Sequence, residues 1–197
     1  MPSSKTEQFL LDSNTYYRLA LNLHPLLSKS FSKNPAHRLC VIKETEQEWS
    51  RNPRLKNKFE WLREDKYVED RRNSTLKISK SDRERIENVY SYICGFEDLL
   101  KGVNISRVDM IVLATGYIKK IVVISDDGGL QQVGEMAEIK VWSTLQLLKL
   151  MFTNKRINQH DIESLIEYWN YENDLPTRNV SLFRKQFNDL FDFKCPV

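Results

Sequence analysis

No stretch of this chain approaches the roughly 20 consecutive apolar residues that a membrane-spanning helix requires. The N-terminal "MPSSKTEQ" has neither the basic n-region nor the apolar h-region of a secretory signal. A cytoplasmic protein without a membrane segment is the expectation. Cysteine and histidine are scarce, with three of each. Cys40, Cys94 and Cys195 are odd in number and far apart, which argues for reduced thiols over a disulfide framework. His24, His37 and His160 are equally scattered, so a His/Cys zinc site is not expected. There is little excess of either charge: 30 Lys and Arg against 27 Asp and Glu leave +3, too small by itself to imply a nucleic-acid partner. No internal repeat or low-complexity tract is present.

What the 197 residues do contain is 41% hydrophobic and 29% charged, enough for one sizeable core and a small appendage. Helical and strand periods alternate. Phe9 to Leu11 reads as a buried strand, followed by a helix with Tyr16, Leu19, Ala20 and Leu23 on one face, ended by Pro25. Leu39 to Ile42 reads as a second strand, leading into a helix from near Glu44 that closes before Asn52-Pro53. The middle is mostly helical, with a break around "RRNST", a restart at the cap signal Ser81-Asp82, and a stripe of Ile86, Val89, Tyr90 and Ile93.

After Gly102 the pattern is compact. Val108, Ile111, Val112 and Thr115 fall at helical spacing, "KKIVVISDD" is a strand ending in two carboxylates, Gly128-Gly129 reads as a turn, and "EIKVW" is a strand before a helix capped by Ser143. This βαβα alternation predicts a three-layer α/β domain with a parallel sheet between helices over 1–153, including a helical, basic middle at about 51–100. Residues 154–197 read as a C-terminal two-helix extension, with one stripe of Ile162, Leu165, Ile166 and Trp169 and a second of Val180, Phe183, Phe187, Leu190 and Phe191 around Pro176.

Acidic residues recur at comparable places in these units. Asp12 ends the first strand, Glu48 lies in the helix after the second, Asp109 opens a helix, and Asp126 and Asp127 end a later strand. Parallel strands bring such ends to one edge of the sheet, where ligands of open α/β folds bind. Clustered carboxylates repel unless a cation neutralises them, and an all-oxygen set suits Mg²⁺ or Mn²⁺. Metal-assisted phosphodiester hydrolysis is the chemistry implied. The Lys and Arg residues dense between Arg51 and Arg85, Arg71 and Arg72 among them, form either a solvated face with interleaved acids or a surface for a nucleic-acid backbone.

These motifs resemble those of the PIN-domain nucleases, which include the VapC-like toxins. "LLDSNTYYRL" is similar to the family's opening strand and Asp-Thr-Asn, with Ser13 in the Thr place; "VDMIVLATGY" and "VVISDDGGL" resemble its later acidic motifs. The resemblance runs in order over roughly residues 8 to 152. It implies a PIN-like α/β/α fold and a Mg²⁺- or Mn²⁺-dependent endoribonuclease, with Asp12, Glu48, Asp109 and Asp127 as catalytic acids. Asp12, Asp109, Asp127 and Asp126 would hold the metal; Ser13, Asn14 and Ser125 would orient the acids. It also implies RNA as substrate, an antitoxin protein as partner, and a homodimer.

Two features depart from the family pattern. The second acidic helix lacks the usual preceding Pro and offers Glu44, Glu46 and Glu48; Glu48 is chosen because it precedes Trp49 and lies furthest along, with Glu44 as the alternative. Gly129 stands where the last motif has its second Asp. A haloacid-dehalogenase-type phosphatase also starts with a strand ending in Asp, but needs a second Asp where this chain has Asn14. The non-enzymatic alternative is a PIN-like RNA-binding or protein-interaction module without turnover.

Overall fold

The computed structural model describes residues 6–95 and 100–174. The second stripe of the expected extension, Val180 to Phe191, and Cys195 lie outside them. In chain order the elements are β1 (Thr6–Leu11), α1 (Ser13–Ala20), β2 (Ala36–Cys40), α2 (Lys43–Arg51), α3 (Pro53–Lys58), a 3-10 turn (Glu60–Arg63), α4 (Asp65–Ser74), α5 (Lys80–Cys94), α6 (Arg107–Lys119), β3 (Val122–Ile124), α7 (Gly128–Met136), β4 (Val141–Trp142), α8 (Thr144–Thr153) and α9 (Gln159–Tyr171).

The strands pair in parallel in the order β2-β1-β3-β4. Phe9 sits between Leu39 and Val122, and Leu11 beside Ile124. Both faces of such a sheet must be covered, which is why the strand segments Phe9–Leu11 and Val122–Ile124 are continuous apolar runs. Side chains alternate between the faces. Phe9, Leu11, Leu39, Val41 and Ile124 join a core with α1, α8 and α9. Leu10, Cys40, Ile42 and Val123 join the other core with α5, α6 and α7. The predicted three-layer α/β architecture is present. Gly116 lets α6 lie directly on Val123, where an added Cβ would collide with a Cγ of that valine.

The stripe Ile162, Leu165, Ile166 and Trp169 of α9 is buried in the same core as α1 and α8, and the Trp169 indole N–H donates to the Arg18 carbonyl at 3.1 Å. Among the described residues, no helix is long and apolar enough to cross a membrane. Cys40 and Cys94 are free thiols.

Three local expectations are corrected. The restart of α5 is capped by Ser79, whose hydroxyl accepts from the Asp82 amide at 3.0 Å, two residues before the expected signal. Gly128-Gly129 forms the first turn of α7, not a free turn, because Asp127 caps that helix. The buried surface of α6 is wider than the predicted stripe and takes in Met110, Leu113, Ala114 and Gly116, since the helix lies between the sheet and α5.

Arg71 is the fourth correction. Expected on a nucleic-acid-binding face, it is 3% exposed. Its guanidinium donates to the Leu62 carbonyl at 2.8 Å and the Tyr16 hydroxyl at 3.2 Å, and lies over the Trp49 and Tyr16 rings. A buried Arg surrounded by rings is a packing element, and no phosphate can reach it. The next residue, Arg72, is exposed. Beside it, Asp70 accepts from the amides of Leu26, Leu27 and Ser28 at 3.1, 3.0 and 2.8 Å, tying the loop after α1 to α4. Arg71→Met should lower unfolding stability by roughly 2–4 kcal/mol, the cost of leaving two buried polar groups unpaired. Chemical denaturation measures it; a change under about 0.5 kcal/mol would return Arg71 to the surface class.

Candidate functional site

The strand order reverses between β1, whose chain proceeds to β2, and β3 on its other side. The carboxyl ends of these two strands are the switch point of the sheet. Asp12 stands directly there. Its amide donates to the Ile124 carbonyl at 3.1 Å, so Asp12 and Ser125 extend the β1–β3 pairing by one residue each. The Asp12 carboxylate caps α1, with Oδ1 accepting from the Thr15 amide at 2.6 Å, and Oδ2 accepts from the Ser125 hydroxyl. Ser125 Oγ in turn accepts from the Asp127 amide at 3.1 Å. Asp127 caps α7 through the Leu130 amide at 2.8 Å.

Two further acids arrive on helices. Glu48, on α2, accepts through Oε2 from the Ser13 hydroxyl at 2.5 Å. Asp109, at the third position of α6, forms a reciprocal cap with Ser106: its Oδ2 accepts from the Ser106 amide at 3.2 Å while its own amide donates to Ser106 Oγ at 3.1 Å. Burial pushes Asp12 up to about 6, against the lowering effect of Ser125 and Thr15 and with the Asp109 charge adding to the rise. Glu48 is raised by burial and by Asp109, Asp109 by burial and by Asp127, each against a hydrogen bond that lowers it. These repulsions join Asp12, Glu48, Asp109 and Asp127 into one electrostatic group.

The remaining candidates divide. Ser125 bonds to Asp12, whereas Ser13 bonds to Glu48, and Asn14 is exposed. Glu44 pairs with Arg83 at 3.7 Å. Asp126 is turned to the opposite side of the sheet: Oδ1 accepts from the Thr144 amide at 3.0 Å, and Oδ2 faces Arg18 at 3.4 Å. Both oxygens are engaged there, so Asp126 does not join the acidic group. The reason is the period of two: Ile124 faces α1 and α8, Ser125 the other side, and Asp126 returns. Gly129 has no space for the missing acid, since a Cβ would meet the Asn104 carbonyl oxygen at 2.6 Å.

No family model and no curated protein matches this chain. Among solved structures it is similar to the crystal structure of FitAcB from Neisseria gonorrhoeae. That match has 16% sequence identity and a TM-score of 0.45, and covers 69% of this chain and 97% of the other.

Among the described residues, no three His, Cys, Asp or Glu side chains are gathered closely enough to hold a metal ion. Each of the four carboxylates is engaged by a hydroxyl or a backbone amide. The donor chemistry itself suits a hard divalent cation: every candidate ligand is an oxygen, and Asp12, Glu48 and Asp109 carry a raised proton affinity that a cation would relieve. Two residues bearing on the site carried no local signal. Arg18 and Thr144 reach Asp126 from 108 and 18 residues away, and only the folded sheet brings them together.

Because Asp12 is raised, its neutral form is favoured on folding. Its contribution to stability is complete below its unfolded value of about 3.8 and is lost as pH rises through about 6. Above that, keeping this buried carboxyl ionised costs roughly 3 kcal/mol. In chelator, Asp12→Asn should therefore raise Tm by about 6 °C at pH 7.5 and leave it unchanged or lower at pH 4. Equal shifts at both pH values, followed by circular dichroism, would show that Asp12 is not under this strain.

Proposed function

We propose that this protein is a metal-dependent endonuclease of PIN type, hydrolysing RNA phosphodiesters, and acting as the toxin of a toxin–antitoxin or defence system. One observation carries the reading: a fully buried carboxylate, Asp12, at the switch point of a parallel sheet, in the field of Asp109 and beside the strand end bearing Asp127. Burying an ionisable group without a cationic partner is costly, and such groups concentrate at functional sites.

In this reading Asp12, Asp109 and Asp127, with Glu48, would hold Mg²⁺ or Mn²⁺. A bound ion there would supply charge neutralisation and water activation for phosphodiester hydrolysis. The chain's own residues set the stage. Ser125 orients Asp12 and the backbone of Asp127; Ser13 orients Glu48, which at its raised affinity is placed to take a proton from water. Exposed cations such as Arg72 would guide the phosphate backbone. The choice of RNA, the antitoxin partner and a homodimer rest on the motif resemblance alone.

A second reading, a PIN-like binding module without turnover, draws support from two observations: the carboxylates are not gathered into a metal cluster, and Gly129 leaves no room for a further acid. Cleavage of single-stranded RNA by purified protein separates the two. Asp12→Asn, Asp109→Asn and Asp127→Asn should each reduce Mn²⁺-dependent cleavage by roughly 100-fold or more, as expected for loss of several kcal/mol of charge stabilisation, with circular dichroism unchanged. Asp126→Asn should cost less than any of these three, since its carboxylate is turned to the other side of the sheet and bears on the acidic group only through the turn. Affinity for RNA with no turnover under any divalent ion would establish the binding module.

Salt dependence provides an independent check on the basic segment. Arg72→Ala should flatten the slope of log K against log[salt] by about one. A slope identical to wild type would place Arg72 on an ordinary solvated surface.

A further inference from the structure

Arg18 occupies an unusual place. It lies on α1, six residues after Asp12, yet its guanidinium points across the sheet end toward two acids distant in sequence. Nε and Nη2 form a fork on Asp174, donating to Oδ2 at 2.9 Å and Oδ1 at 2.8 Å, while Nη1 faces Asp126 Oδ2 at 3.4 Å. The fork is charge-assisted and bidentate, the stronger kind of hydrogen-bonded pair. Burial alone would raise Asp174, but the Arg18 hydrogen bonds and charge outweigh it and hold that carboxyl below its ordinary value.

Asp126, with 5% of its side chain exposed, is gripped from both sides, by Arg18 and by the first amide of α8, Thr144. Its immediate neighbours are Ser125 and Asp127. Ser125 donates to Asp12, and Asp127 caps α7 at the opposite face of the same turn. A three-residue turn has few independent dihedrals, so clamping its central side chain restrains both flanking residues.

We propose that Arg18 is a positioning residue for the acidic group: anchored by Asp174 beyond the end of α9, it clamps Asp126 between α1 and the start of α8 and so fixes the turn that places Ser125 on Asp12 and presents Asp127. The consequence for metal binding rests on the function proposed above, whereas the consequence for the turn does not. A purely electrostatic role has the opposite sign. Removing a cation whose field reaches Asp12 would make the acidic group bind a divalent ion more tightly, whereas releasing the clamp loosens the ligands and weakens binding.

The test combines residue-resolved hydrogen exchange with Mn²⁺ titration followed by electron paramagnetic resonance, both well below the melting point of each variant. In Arg18→Ala, the amides of Thr144 and Asp127 should lose about tenfold protection while that of Val123, deep in β3, stays at the wild-type level. The Mn²⁺ dissociation constant should rise about tenfold. Arg18→Lys, which keeps the charge but not the fork, should recover part of both effects, and Asp174→Asn should reproduce part of the loss. Wild-type protection at Thr144 and Asp127, or the same loss at all three amides, would overturn the clamp, as would tighter Mn²⁺ binding by Arg18→Ala. If wild type and Asp12→Asn alike fail to bind Mn²⁺, the metal reading falls, and the exchange data alone still decide the clamp.

Discussion

A carboxylate buried at the end of a central strand is the constraint around which the molecule is arranged. Asp12 is there because β1 and β3 pair in parallel up to Leu11 and Ile124, and the next residue on each strand must share the strand end with its neighbour. A hydroxyl at 125 is the small donor that fits this gap, and the Thr15 amide of the following helix supplies a second. Without both, the charge would be unpaired in a site 1% exposed. Strand register, the start of α1 and the turn into α7 are therefore set together.

The same device recurs. Asp12, Asp109 and Asp127 each sit in the first turn of, or just before, their own helices and accept from the amides there. Helix N-termini carry partial positive charge, so each acid is partly neutralised by its own helix while it repels the others. The result is an acidic group under mutual repulsion, in contrast to Asp126, whose two oxygens are engaged on the far side of the sheet by Arg18 and the start of α8.

Where sequence reasoning succeeded, the signal was local. An apolar run ending in Asp-Ser-Asn and another ending in Ser-Asp-Asp are legible as strand ends, and alternating periods gave the parallel sheet and its two helical layers. It failed where the deciding partner was remote. Arg71 looked like one more cation in a basic segment, and nothing nearby in sequence announces that Tyr16, Trp49 and the Leu62 carbonyl enclose it. Asp126 was read as an acid beside an acid, although strict alternation from Ile124 would have turned it away. Ser13 and Asn14 were read as supports for the acids, but the first turn of α1 carries Ser13 toward α2 and Glu48 and leaves Asn14 exposed. The glycine at 129 looked like a lost carboxylate; a neighbouring backbone carbonyl explains it instead.

The occupied helix ends have a further consequence. An exposed helix N-terminus is a ready anion receptor, the feature by which nucleotide-binding folds cradle phosphates with backbone amides. Here the amides of Thr15, Asp109 and Leu130 already serve the chain's own side chains. A phosphate at these strand ends would meet carboxylates that already occupy the Thr15 and Leu130 amides, and like charges repel. The helix ends that many α/β proteins offer to phosphates are thus committed, at these three amides, to the chain's own side chains.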